Sequence, residues 1–232
     1  DGPCAVDLSM TEDQARSVCC GGNTTFILTL SGRALSCGCN EDNQLGWPRD
    51  NAASAAAAAA VDVTDGGGEE DGGGYGGGPS AVVDEDTSLF DYLALKQGED
   101  GTLVQITCGK AHGAALTCDG RVVTWGSAEG GRLGRDKKKR GDAAHSRPAA
   151  VAIPEAGQNI VSVSAGGAHT VAVSASGWLW VWGTISREVS YSSPHRVQGE
   201  VLGSGHFLRA HAGAWSTLVV AIPPPAEEEE GF

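Results

Sequence analysis

Apolar and polar residues alternate in short runs along this chain, and glycines punctuate the runs. "HGAALT" (112–117) and "RVVTW" (121–125) flank "CDG", where Asp119-Gly120 is a strong signal for a tight turn between two strands. "SASGWLWVWG" (174–183) sets Trp178, Trp180 and Trp182 on alternate positions, so the three share one face of a strand. This period of two predicts an all-β chain of short strands and many turns. The exception is "DTSLFDYLALKQ" (86–97), whose spacing predicts a short helix capped by Asp86 that packs Leu89, Phe90 and Leu93 on a neighbour.

The alternation is itself repeated. "CGGNTTFILTLSGRALSCG" (20–38), "CGKAHGAALTCDGRVVTWG" (108–126) and "AGGAHTVAVSASGWLWVWG" (165–183) align without gaps. Each carries a first glycine (Gly21, Gly109, Gly166), a turn glycine eleven residues on (Gly32, Gly120, Gly177) and a third glycine six later (Gly38, Gly126, Gly183). Leu45-Gly46 and Leu133-Gly134 keep the register, whereas the third copy has "TISREVS" in that place. A Pro-x-x-Val segment follows each copy, at 79–82, 148–151 and 194–197, and a partial fourth copy opens at Gly213. Trp125 and Trp182 share one repeat position with Cys37, while Trp180 matches Val123 and Leu35. These tryptophans therefore read as buried strand residues. Trp178 instead matches Arg121 and Arg33, so it is either a contact residue or a packing residue at a blade edge.

This pattern resembles the repeat of the regulator of chromosome condensation family, over about 11–49, 100–151 and 156–200, with 201–222 a partial copy. The resemblance implies a β-propeller of four-stranded blades around a central channel, ordinarily of about seven blades. About three to four blades are visible here, so the chain reads as an arc of a larger ring. The plant ultraviolet-B photoreceptor has similar repeats, but its tryptophans directly follow the first glycine. Gly22, Lys110, Gly167 and Ala214 hold that place here, which argues against light sensing.

Composition narrows the function. A formal net charge of −13 argues against direct nucleic-acid binding, which needs clustered cations. Seven cysteines in an irregular spacing match neither a disulfide framework nor a zinc motif, and read as reduced thiols used as small buried residues. No apolar run has the length of a membrane span, so an intracellular protein of cytoplasm or nucleus is expected. Residues 51–80 form an Ala/Gly/acidic insertion too polar to pack, and 223–232 a Pro/Glu tail.

No spacing points to catalysis, a metal or a cofactor. His112 and His169 share a repeat position with Thr24 and Ser216, which indicates a hydrogen-bonding role at a turn rather than metal ligation. The stretch 131–147 holds seven of the sixteen Lys and Arg residues, centred on Lys137, Lys138, Lys139 and Arg140, and is a candidate partner contact on one rim. Together these features predict a non-catalytic module that binds protein partners. The resemblance adds two alternatives: nucleotide exchange on a Ran-type small GTPase, as for the family's name-giver, and a targeting portion of a larger protein such as a ubiquitin ligase or kinase.

Overall fold

The computed structural model describes residues 13–46, 91–92, 101–135, 147–154, 159–197 and 206–222. They form three antiparallel sheets of four strands each and one two-stranded sheet, with strands in sequential order. The first blade holds β1 (Ala15–Gly21), β2 (Thr24–Thr29), β3 (Ala34–Gly38) and β4 (Asp91–Tyr92). The second holds β5 (Leu103–Cys108), β6 (His112–Thr117), β7 (Val122–Gly126) and β8 (Ala149–Ala150). β9 (Ile160–Ala165), β10 (His169–Ser174), β11 (Leu179–Thr184) and β12 (Ser190–Arg196) make the third. β13 (His206–Ala212) and β14 (Thr217–Ile222) pair as a final hairpin.

The predicted hairpins are β2–β3, β6–β7 and β10–β11. Their turn glycines, Gly32, Gly120 and Gly177, all sit at φ +79°, a left-handed conformation that side chains other than glycine's enter only at a cost. The expected helix at 86–97 is not formed where that stretch is described. Asp91 and Tyr92 instead pair with Ser36 and Leu35 as the fourth strand of the first blade. An outer strand position was open there, and pairing it satisfies backbone groups that β3 would otherwise leave at an edge.

The middle strands are buried on both faces, because each face feeds a different core. Phe26, Leu28, Leu103, Ile106, Ala115, Val123 and Trp125 fill the space between the first and second blades. Ala114, Leu116, Val122, Ile160, Val163, Ala172, Trp180 and Trp182 fill that between the second and third. Val171, Val173, Leu179, Val181, Phe207 and Ala210 join the third blade to the hairpin. Neighbouring residues such as Ala114 and Ala115 thus serve opposite interfaces, which is why these strands read as apolar on both phases. Trp125 meets Phe26 edge-on, with ring centroids 5.5 Å apart.

The third blade departs from its fellows in one correlated way. In the first two, Ser36 and Thr124 donate to the carbonyls of the buried Leu45 and Leu133, at 2.9 and 2.8 Å. Val181 stands at the equivalent place and has no hydroxyl, in the same copy that lacks the Leu-Gly pair. The chain there runs instead into the seven-residue β12, against two residues in β8.

Replacing Trp182 by Ala empties the centre of the core between the second and third blades and is expected to cost about 3–5 kcal/mol in urea unfolding. Trp178→Ala, at the half-buried end of the same face, should cost well under half of that.

Candidate functional site

The repeated polar residues converge on the interfaces between blades, and three kinds of bond recur there. The first uses the turn glycines. The carbonyls of Gly32, Gly120 and Gly177 accept from the N–H groups of Leu103, Ile160 and Phe207, each at 3.1 Å, so every hairpin turn is tied to the first strand of the next blade. A Cβ on these glycines would collide with Thr102, Asn159 and His206, so glycine is required by space as well as by backbone angle.

The second kind joins first strands to one another. Gln105 uses its side-chain amide to donate to the Val163 carbonyl at 2.9 Å and to accept from the Val163 N–H at 3.2 Å. The Thr107 hydroxyl accepts from Ala165 N–H at 3.1 Å, and the Ser164 hydroxyl from Ala212 N–H at 3.0 Å. Cys19 stands at the place of Thr107 and Ser164 in the first blade, and its sulfur lies 2.9 Å from that of Cys108.

Histidine provides the third. His112 Nε2 lies 2.9 Å from the Thr170 hydroxyl, which donates to the Arg132 carbonyl at 3.0 Å. A hydroxyl has one proton to give, so His112 is the donor through Nε2–H, and its buried Nδ1 is left without a partner. His169 makes the same link to Thr217 in the hairpin, at 2.9 Å. Burial depresses both imidazole pKa values. That of His112 falls to about 3, with the charges of Arg132 and His169 adding to the desolvation.

A donor exchange accompanies these links. In the second blade Gly113 leaves room for the Trp125 ring, whose Nε1–H donates to the Gln44 carbonyl at 2.9 Å. In the third blade Thr170 holds Gly113's place and takes the equivalent carbonyl, that of Arg132, for its own hydroxyl. Trp182 Nε1 is then left buried without an acceptor. One carbonyl has one strong donor in each blade, and the residue beside the histidine decides which.

The remaining candidates lie apart from this network. Trp178 is half-buried against the core between the second and third blades, and the Arg196 guanidinium sits 3.4 Å from its ring centroid. Tyr191 and His195 stack on each other on β12, with centroids 4.2 Å apart. Gly213 opens the turn of the final hairpin. Lys137, Lys138, Lys139 and Arg140 fall outside the described residues, as does the insertion. The six described cysteines are free thiols, and none is fully buried, contrary to the expectation of small core residues: Cys20 and Cys118 are exposed and the others intermediate. Cys19, Cys20, Cys37 and Cys108 lie on strands, Cys39 directly after β3 and Cys118 in a hairpin turn. Among the described residues no cluster of His, Cys, Asp and Glu is arranged to hold a metal, and no helix is long and apolar enough to cross a membrane.

Sequence reasoning placed the glycines and histidines but missed Cys19, Cys108 and Thr170. Comparing the residue two places before each first glycine, Cys19 with Thr107 and Ser164, would have exposed the interfacial role of the thiol.

Successive four-stranded meanders, tied turn to strand and sharing one core per interface, are blades of a β-propeller. Residues 119–173 match the family described as the Regulator of chromosome condensation (RCC1) repeat, and residues 15–44 and 103–131 match a second profile of the same description. These stretches of the chain are RCC1 repeats. It is 38% identical over 190 residues to human "Probable E3 ubiquitin-protein ligase HERC3", covering 75% of this chain and 18% of that protein. It is 29% identical over 215 residues to Xenopus laevis "Serine/threonine-protein kinase Nek9", covering 88% of this chain and 20% of that one. The chain thus spans about a fifth of either relative. Among solved structures, Saccharomyces cerevisiae Prp20p superposes with a TM-score of 0.66 at 18% identity, over 92% of this chain and 45% of that one. Human WBSCR16 gives 0.62 at 22%, over 90% and 45%.

The histidine links carry a pH signature. The unfolded chain takes up protons on His112 and His169 as pH falls through about 6.5, whereas folded His112 resists until about 3. Stability is therefore full above pH 6.5 and declines between 6.5 and 3, by up to about 1.4 kcal/mol per pH unit for each histidine held neutral. Denaturant titrations across this range should show a shallower slope for His112→Asn than for the parent chain.

Proposed function

We propose that this chain is an arc of an RCC1-repeat propeller that acts as a non-catalytic protein-binding module. The observation that carries this reading is where the repeated residues are spent. The turn glycines, His112, His169, Trp125 and Trp182 are spent in joining one blade to the next, which leaves recognition to surfaces that do not repeat. There are two candidates. One is read from sequence alone: the stretch 131–147, whose charge suits an acidic partner in an otherwise acidic chain. The other is the outer face of the final hairpin, where Trp215, Leu218, Val220 and Ile222 are exposed. Apolar side chains in such a row favour burial against a further blade.

A second reading is favoured by the 38% identity to HERC3. The arc is then the substrate- or partner-recruiting portion of a longer protein that carries catalysis elsewhere. RCC1-repeat relatives that are parts of ligase and kinase proteins support this arrangement. Prp20p has binding properties toward Gsp1p and histones, but at 18% identity its likeness to this chain extends to the fold alone.

Two measurements test these readings. A GDP-release assay on Ran with this chain should show the rate unchanged; acceleration that depends on residues 131–147 would replace the binding-module reading with an exchange factor. Native mass spectrometry of the endogenous protein, captured through the 131–147 stretch, should show a single chain well above the 23.6 kDa of these residues if the arc belongs to a larger propeller. A chain of about this size in a stoichiometric complex would mean that a separate partner covers the hairpin.

A further inference from the structure

We propose that Cys19 and Cys108 are a redox-sensitive modification site: a thiol pair that closes to a disulfide across the interface of the first and second blades when the protein meets hydrogen peroxide. Three observations carry this. The two sulfurs lie 2.9 Å apart, and a disulfide requires them to close to about 2.05 Å, a move within reach of side-chain rotation at a strand edge. Both residues are partly buried and pack on the core between these blades, so the approach is held by the fold rather than by chance collision. The pair also replaces a bond that the other interfaces make differently, since Thr107 and Ser164 reach across with hydroxyls and Cys19 reaches across with sulfur.

The placement gives the link a purpose. The first and second blades are connected by the longest excursion in the chain, because the insertion at 51–80 lies between Cys19 and Cys108, which are 89 residues apart. A longer closed loop costs more entropy, so this interface gains most from a covalent tie. Oxidised, the first blade stays docked whatever the insertion does. Reduced, the same interface relies on packing and on bonds such as Gly32–Leu103 and Trp125–Gln44.

The chemistry balances with peroxide as the oxidant. Cys108, kept neutral by burial and by its neighbour, donates its S–H to the Cys19 sulfur, which lowers the Cys19 pKa and favours its thiolate. That thiolate attacks one peroxide oxygen, and hydroxide leaves, giving a sulfenic acid on Cys19. The Cys108 sulfur then attacks the Cys19 sulfur, so that the S–S bond forms as the S–O bond breaks; the sulfenic oxygen leaves as a second hydroxide, and the two hydroxides take up the protons lost by Cys19 and Cys108. Two thiols and one peroxide yield one disulfide and two waters.

The test uses the whole chain in a Cys20→Ala background, so that the vicinal thiol cannot stand in for Cys19. After mild peroxide treatment and blocking of free thiols, tryptic peptides 17–33 and 97–110 should appear cross-linked, with the combined mass reduced by two hydrogens, and should separate on addition of dithiothreitol. Thermal unfolding should move upward on oxidation and return on reduction. Cys19→Thr, which restores the hydroxyl found at the other interfaces, should fold and show neither effect. Sulfinic acid on Cys19 without the cross-link would overturn the proposal. So would preferential linkage of either residue to Cys37 or Cys118, or an equal thermal shift in Cys19→Thr.

Discussion

Each described blade leans on the next through one short contact: a turn-glycine carbonyl accepts a hydrogen bond from the start of the first strand of the following sheet. The three examples share a φ of +79° and a length of 3.1 Å. A four-stranded antiparallel sheet is too small to bury both its faces alone, so its stability depends on stacking against neighbours. The glycine contact sets the angle of that stacking. It brings the next strand close enough for the shared core to close, and the Gln105, Thr107 and Ser164 bonds then fix the register of first strand against first strand.

Within this frame the side chains trade roles in pairs. Gly113 goes with a tryptophan that donates to the Gln44 carbonyl, and Thr170 goes with one that does not. Ser36 and Thr124 go with the Leu-Gly loop, and Val181 goes with its replacement by a longer outer strand. Such paired changes keep each buried polar group's main partner while the repeats drift apart. The exceptions among the described residues are His112 Nδ1 and the indole nitrogens of Trp180 and Trp182. Of these, the Trp182 nitrogen is the one left over by the exchange, Thr170 having taken its carbonyl.

Much of this was legible in the sequence, because turn glycines and period-two alternation act locally. The spacing of Gly109, Gly120 and Gly126 defines a hairpin without reference to anything distant, and Trp180 and Trp182 declare their burial by matching apolar residues in other copies. What was not legible depends on the path between blades. Asp91 and Tyr92 carry a helical pattern, yet an open strand edge outweighed it. The Cys19–Cys108 contact joins residues 89 apart, and no local period reports it. The thiols looked like core residues by type, whereas none of the six described is fully buried, and Cys19 and Cys108 meet where the first two blades touch.

The claim that turn glycines couple blade to blade is tested most directly by hydrogen exchange on Gly120→Ala. A Cβ there strains the left-handed backbone by roughly 1–2 kcal/mol and presses on Asn159. The account predicts that the Ile160 amide, with the rest of β9, exchanges roughly tenfold faster while β2 and β3 are unaffected. Faster exchange confined to β6 and β7, with Ile160 unchanged, would contradict it.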